Sequence, residues 1–407
     1  MRYCDLTLAY TATSGGIRTY IDAKRHHVKV SGSKDEHVLI IPGEHGRIEW
    51  EDRLITVSLA SPVIPGCGPY RFFWRPDRLL EALEETRPDI VELGSFFSCP
   101  WAAMQYRDRR RAAGERCLVS AYFHTDIADA YFGATLRKVV GNTVAQHSAT
   151  LTKWGTGLAD RLEHGAERYF GGLFESCDLL FAATPAQRAR LGKYGVPESD
   201  VEIVPLGTDL ELFHPGKRQD EVRTRLFGAN PETTVFLYAG RLDPEKHVDL
   251  LVRAFAEVTI PDARLVLTGE GPLREGFEEE AAKNPRLRVL PYQSTREDFA
   301  AMLASADVYA TAGPHETFGL SVVEAQASGL PVVGVDAGAL PERVVPGTGY
   351  LGPAGDAVAM ARNLERASAE RSVLGPAARR HVVDSGVGWD GTFTKLFDVY
   401  RRAWDRA

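Results

Sequence analysis

Short apolar runs alternate with longer helical patterns along the whole chain. In the first half the runs are Leu6–Tyr10, Val38–Ile41, Asp89–Leu93, Cys117–Phe123, Leu179–Ala182 and Val201–Val204. In the second they are Val235–Tyr238, Leu265–Thr268, Leu287–Leu290, Val308–Thr311 and Pro331–Val335. Strands buried on both faces read this way, and their alternation with helices predicts parallel sheets covered on both sides. Two such sets in series predict an α/β protein of two doubly wound domains, residues 1–208 and 209–385. The join falls in the polar, Pro- and Gly-bearing stretch Leu206–Asn230. Between Leu136 and Phe174 the apolar spacing is helical, although Gly141, Gly155, Gly157 and Gly165 weaken it.

Composition narrows the class. The chain has 407 residues, 44% hydrophobic and 25% charged, the balance of a soluble globular protein. No apolar run approaches the roughly 20 residues of a membrane-spanning helix. Asp5 breaks the first apolar stretch, so a secretion signal is not expected and the chain reads as cytoplasmic. A net charge of −7 argues against nucleic acid as a partner. The basic group Arg107, Arg109, Arg110 and Arg111 reads as a solvated helix face. The five cysteines, Cys4, Cys67, Cys99, Cys117 and Cys177, form no Cys-x-x-Cys pair, so neither a zinc site nor a disulfide framework is expected.

In open parallel sheets, ligands sit beyond the carboxyl ends of the strands, which singles out five loops. Thr13-Ser14-Gly15-Gly16 follows the first run and would let backbone approach an anion, or is a plain tight turn. His124 ends a buried run, with Asp126 placed to orient its ring or to cap the next helix. Gly240-Arg241-Leu242-Asp243-Pro244-Glu245-Lys246 predicts a helix from Pro244 with Lys246 in its first turn. A cation there opposes the helix dipole, and beside Arg241 it makes a diphosphate site. Gly269-Glu270-Gly271-Pro272 is a turn near a nucleotide or nothing more. The last loop holds Glu316-Thr317-Phe318-Gly319-Leu320 and, further on, Glu324. A helix starting near Phe318 separates the two glutamate backbones by roughly 10 Å, which suits a long ligand better than a glycosidase's paired carboxylates. Amides of residues 317–321 would then face a diphosphate, leaving one carboxylate for hydroxyls at each end.

In this order the motifs resemble those of the retaining glycosyltransferases of family 4. The resemblance also rests on Val204-Pro205-Leu206-Gly207-Thr208-Asp209, Phe213-His214-Pro215 and Ala327-Ser328-Gly329-Leu330-Pro331-Val332-Val333. It implies the GT-B architecture, two facing Rossmann-like domains with an interdomain cleft, and a terminal helix over 386–407 packing back on the first domain. It implies transfer of a hexose, mannose or glucose, from a nucleotide sugar to a hydroxyl acceptor, lipid or glycan, without a metal or other cofactor.

By the same resemblance Arg241 and Lys246 hold the donor diphosphate, and Glu316 with the amides of Thr317, Phe318, Gly319 and Leu320 holds the sugar. Glu324 holds the ribose, Gly15 and Gly16 the phosphate, and Gly269 and Tyr292 border the nucleotide, while His124 lies near sugar and acceptor. A lipid acceptor would make Arg107–Arg111 and Leu136–Arg168 a peripheral membrane contact. The alternatives are a non-catalytic nucleotide-sugar binding subunit, or another GT-B enzyme such as an epimerase or phosphorylase, though no pyridoxal-phosphate lysine motif is present.

Overall fold

The computed structural model describes residues 1–11, 15–64, 70–96, 98–124, 164–293 and 295–407. It divides into one unit of Met1–Pro205 with Phe393–Ala407 and a second of Leu206–Thr392. Thr13, Ser14, Cys67, Thr125, Asp126 and the 136–163 part of the expected helix lie outside the described residues.

The first unit is built on strands β1 (Arg2–Leu6), β2 (Glu36–Gly43), β3 (Arg47–Glu51), β4 (Leu54–Ala60), β5 (Ile90–Leu93), β6 (Leu118–Tyr122), β7 (Leu179–Ala182) and β8 (Val201–Ile203). They lie in the order β3-β4-β2-β1-β5-β6-β7-β8. All neighbours are parallel except the antiparallel pair β3–β4 at the edge. The apolar run at Leu6–Tyr10 is not the first strand, which ends at Leu6.

Asp5 is therefore inside the sheet rather than breaking it. It is buried and stands in register beside the buried Glu92 of β5. Like charges side by side across strands repel. Lys24, on the helix Gly16–Val30, resolves the conflict with its ammonium 2.9 Å from each carboxylate. His37 Nε2 lies 2.6 Å from the other Asp5 oxygen, and the hydroxyls of Tyr20 and Tyr400 donate to Glu92. Tyr400 belongs to the terminal helix Trp389–Arg406, whose Phe397 stacks on Tyr3 at 4.5 Å. The helix covers this polar cluster with an aromatic layer.

The second unit's sheet comprises β9 (Thr234–Ala239), β10 (Ala263–Thr268), β11 (Leu287–Leu290), β12 (Val308–Ala310), β13 (Val332–Val335) and β14 (Gly349–Gly352). Its order is β11-β10-β9-β12-β13-β14, parallel throughout. Every residue of β9 is buried, as expected of a central strand with helices on both faces. β9 and β12 are neighbours at the centre, so the loops after them emerge together. No helix among the described residues is long and apolar enough to cross a membrane.

Candidate active site

The loop after β9 carries Arg241. Its guanidinium bonds the carboxylates of Asp243 and Glu245, a fan that keeps it half-exposed in the loop. Pro244–Lys246 forms a single 3-10 turn, His247 takes a left-handed conformation (φ 49°), and the helix starts only at Val248. Lys246 is thus not in the first turn of a helix, contrary to the expectation from sequence. The left-handed residue after it redirects the chain, and Lys246 reaches the next loop instead. Its ammonium lies 3.0 Å from Glu316 Oε2.

Gly269 and Gly271 explain why that loop holds its shape. Their φ values are 146° and 155°, and a Cβ on Gly269 would fall 1.8 Å from the carbonyl oxygen of Gly240. The Leu242 amide donates to the Glu270 carbonyl at 2.8 Å and the Leu273 amide to the Leu242 carbonyl at 3.0 Å. The Gly-Glu-Gly turn is a backbone brace under Arg241, a role only glycine fills at that approach.

After β12 the chain runs through Glu316 into the helix Leu320–Ala327, with Gly319 as its left-handed cap (φ 77°). The helix starts two residues later than Phe318, because the cap needs a positive φ that glycine supplies. The Gly319 amide donates to Glu316 Oε1 at 3.2 Å, so Glu316 links Lys246 to the helix N-terminus. Burial pushes the Glu316 carboxyl up, but Lys246, the Gly319 amide and Arg241 outweigh it and hold the group below its ordinary value. Glu316 is ionised at neutral pH.

Phe318 is buried, with the Arg343 guanidinium 4.0 Å above its ring and Arg343 Nε donating to its carbonyl. Thr317 and Leu320 are half-buried beside it. Tyr309 ties the two loops together, since its hydroxyl meets both the Ala239 carbonyl and Ser321 Oγ at 2.9 Å. A further brace went unread in the sequence. Gly338 (φ 61°) packs where a Cβ would lie 2.6 Å from the Glu316 carbonyl, and the Ala339 amide donates to that same oxygen.

Glu324 does not share these partners. It is buried, and its carboxylate pairs with Arg296 at the start of the helix Arg296–Ser305. Tyr292 is exposed, its amide donating to Glu270 at 3.3 Å. In the first unit, Gly15 caps the helix that starts at Gly16, beyond the end of β1. His124 follows β6, stacked 4.3 Å from the Tyr122 ring with the edge of Tyr20 at 4.9 Å. Burial, reinforced by Lys24, pushes its pKa down to about 3, so the imidazole is neutral.

The structure therefore brings together Arg241, Lys246, Glu316, Thr317, Phe318, Gly319 and Leu320 around one helix N-terminus. Gly269 stands beneath them, Glu324 lies further along the helix, and Gly15, Gly16 and His124 belong to the other unit. Arg296 and Gly338 are the residues that sequence reasoning missed. Arg296 is a cation in the first turn of a helix, where acidic residues belong.

The Glycosyltransferase Family 4 model matches residues 15–212 and the Glycosyl transferases group 1 model residues 223–381. Over 352 residues the chain is 30% identical to the GDP-mannose-dependent alpha-(1-6)-phosphatidylinositol dimannoside mannosyltransferase of Mycobacterium tuberculosis, covering 86% of this chain and 83% of that protein. This chain belongs to glycosyltransferase family 4. The sulfoquinovosyl transferase of Arabidopsis thaliana is 32% identical over 228 residues, 54% of this chain and 41% of that one. Among solved structures, sucrose-phosphate synthase from Thermosynechococcus elongatus superposes with a TM-score of 0.72 at 20% identity, covering 100% of both chains. The glycosyltransferase thus has the GT-B fold, one parallel-sheet α/β domain in each unit.

Proposed function

We propose that this glycosyltransferase moves a hexosyl group from a nucleotide-diphosphate sugar to a hydroxyl of a lipid or glycan acceptor, with retention of anomeric configuration. The observation that carries the reading is the Lys246–Glu316 pair at the N-terminus of the helix Leu320–Ala327, with Arg241 acting on the same carboxylate. Two cations and a row of helix amides form a place for a diphosphate. An ionised glutamate beside them accepts hydrogen bonds from sugar hydroxyls.

In the step proposed, the bond from the sugar's anomeric carbon to the diphosphate oxygen breaks and its electron pair leaves with the phosphate. The acceptor oxygen bonds the same carbon from the same face, and its proton passes to the departing phosphate oxygen. Arg241 and Lys246 offset the charge that builds there, so catalysis rests mainly on electrostatic stabilisation. The two fixed cations support transfer without a metal.

His124, neutral and held by Tyr122, is assigned to the acceptor and the sugar. Gly15 and Gly16 are assigned to the phosphate, and Tyr292 to the nucleotide base. The M. tuberculosis relative's donor makes GDP-mannose the first donor to test, ahead of UDP-glucose.

The test is transfer from GDP-mannose and from UDP-glucose to phosphatidylinositol mannosides, with EDTA present. Product configuration is read by the one-bond carbon–proton coupling at the anomeric carbon in NMR. An α-linked product from the α-linked donor supports the reading. A β-linked product overturns retention, activity that EDTA abolishes overturns metal independence, and transfer from neither donor overturns the hexosyl assignment.

A further inference from the structure

We propose that Arg296 is a positioning residue of the donor site, fixing the Glu324 carboxylate where the ribose hydroxyls of the nucleotide meet it. The inference rests on the reading that Glu324 holds the ribose and adds what makes it competent to do so. Glu324 is 2% exposed, and among the described residues Arg296 is the side chain that hydrogen-bonds it. The guanidinium is itself held between aromatic rings, 4.8 Å from the Phe213 centroid and 5.9 Å from that of Phe299. Its own side chain stays 39% exposed, against 3% for that of Glu324, so the guanidinium caps a carboxylate otherwise enclosed by the fold.

Local preference does not explain the arginine. Arg296 opens a helix whose cap, Thr295, and next residues, Glu297 and Asp298, all suit the positive end of the dipole. A cation placed there against the dipole is retained for what it touches, and it touches Glu324.

The charge state follows from the surroundings. Burial pushes the Glu324 carboxyl up and Arg296 pulls it back, leaving it above its ordinary value. The other groups packed around it supply no replacement. Tyr309 of β12 is itself held neutral by burial, and its hydroxyl is engaged by Ser321 and the Ala239 carbonyl. Arg379, from the neighbouring helix Arg371–Asp384, is committed to the carbonyls of Leu210, Phe213 and Ala327. Without Arg296 none of these groups opposes the burial, so the carboxyl rises further and its charged form, the better acceptor for ribose hydroxyls, is less favoured.

The experiment is calorimetric titration of GDP and of 2′,3′-dideoxy-GDP into the full chain, comparing wild type, Glu324→Gln, Arg296→Ala and Arg296→Lys at pH 6.5 and pH 8.5. The expected wild-type preference for GDP is about tenfold to a hundredfold, the worth of hydrogen bonds to a buried charge. In Arg296→Ala the preference falls toward that of Glu324→Gln, and falls no less at pH 6.5 than at pH 8.5. Arg296→Lys keeps much of it. If Arg296→Ala weakens both nucleotides equally and keeps the preference, Arg296 is merely structural and the proposal is overturned while the donor site stands. If the wild type binds GDP without preferring it over the dideoxy form, the ribose assignment of Glu324 falls, and the Arg296 proposal with it. If GDP does not bind at all, both fall.

Discussion

Lys246 and Glu316 depend on each other. Lys246→Ala leaves a half-buried carboxylate with only the Gly319 amide and the charge of Arg241 to favour it, and removes one of the two cations assigned to the diphosphate. Removing a single preorganised stabiliser of developing charge typically costs about 10²–10³ in kcat. That loss is expected in steady-state kinetics of Lys246→Ala, with circular dichroism unchanged, and a loss under threefold contradicts the role. Both residues were legible in sequence, because each lies in a loop that directly follows an apolar strand. Arg296 was less so, since its partner is 28 positions away and neither residue announces the other. The first strand lies earlier than the apolar run Leu6–Tyr10 and includes Asp5. An acid inside an apolar run signals a break unless a distant residue neutralises it, and Lys24 sits on a separate helix.

At the scale of elements, the strand–loop–helix units were largely readable and their starts were not. The strands β9 to β13 emerge from continuous apolar runs. β3 was hidden, because an edge strand with most residues exposed has no apolar pattern, and β14 is largely glycine and half-buried positions. The helix starts at Val248 and Leu320 are displaced by left-handed residues, His247 and Gly319, which apolar periodicity does not register. Gly269 reads from sequence as a residue bordering the nucleotide. Its observed position beneath the Arg241 loop makes it a brace, and no ligand is needed to account for it. Gly269→Ala forces a Cβ against the Gly240 carbonyl and is expected to destabilise the protein by at least about 1–3 kcal/mol in urea unfolding, with a higher donor KM. A variant with wild-type stability and kinetics contradicts the brace.

At the scale of the whole molecule, the buried histidines with shifted titration lie in the first unit. His37 and His124 are both pushed below their ordinary value of 6.5 by burial, so the unfolded chain binds protons that the folded chain refuses. Their stabilising contribution is full above pH 6.5 and is lost as pH falls, toward about pH 3 for His124. Glu92, raised by burial, works in the opposite sense above its ordinary value. Urea unfolding between pH 7.5 and pH 5.5 separates these terms. His124→Gln is expected to flatten the fall in stability by up to about 1 kcal/mol per pH unit, below the full-burial limit because the ring is half-buried. An unchanged pH profile contradicts the assignment.

The terminal helix seals the same cluster. Tyr400→Phe removes a buried hydroxyl from Glu92 and Ser120, and is expected to cost about 1–3 kcal/mol by the same method. A cost near zero shows that the helix is held by its aromatic layer alone.

The central claim is that the N-terminus of the helix Leu320–Ala327, with Arg241 and Lys246, holds a nucleotide diphosphate. Calorimetric titration of GDP, UDP and ADP into the wild type and Lys246→Ala tests it most directly. The account predicts that one of these nucleotides binds the wild type at one site per chain, and that Lys246→Ala weakens it at least about tenfold, the 1.4 kcal/mol or more expected of a charge-assisted hydrogen bond. Binding of none of the three, or equal affinity in both proteins, contradicts it.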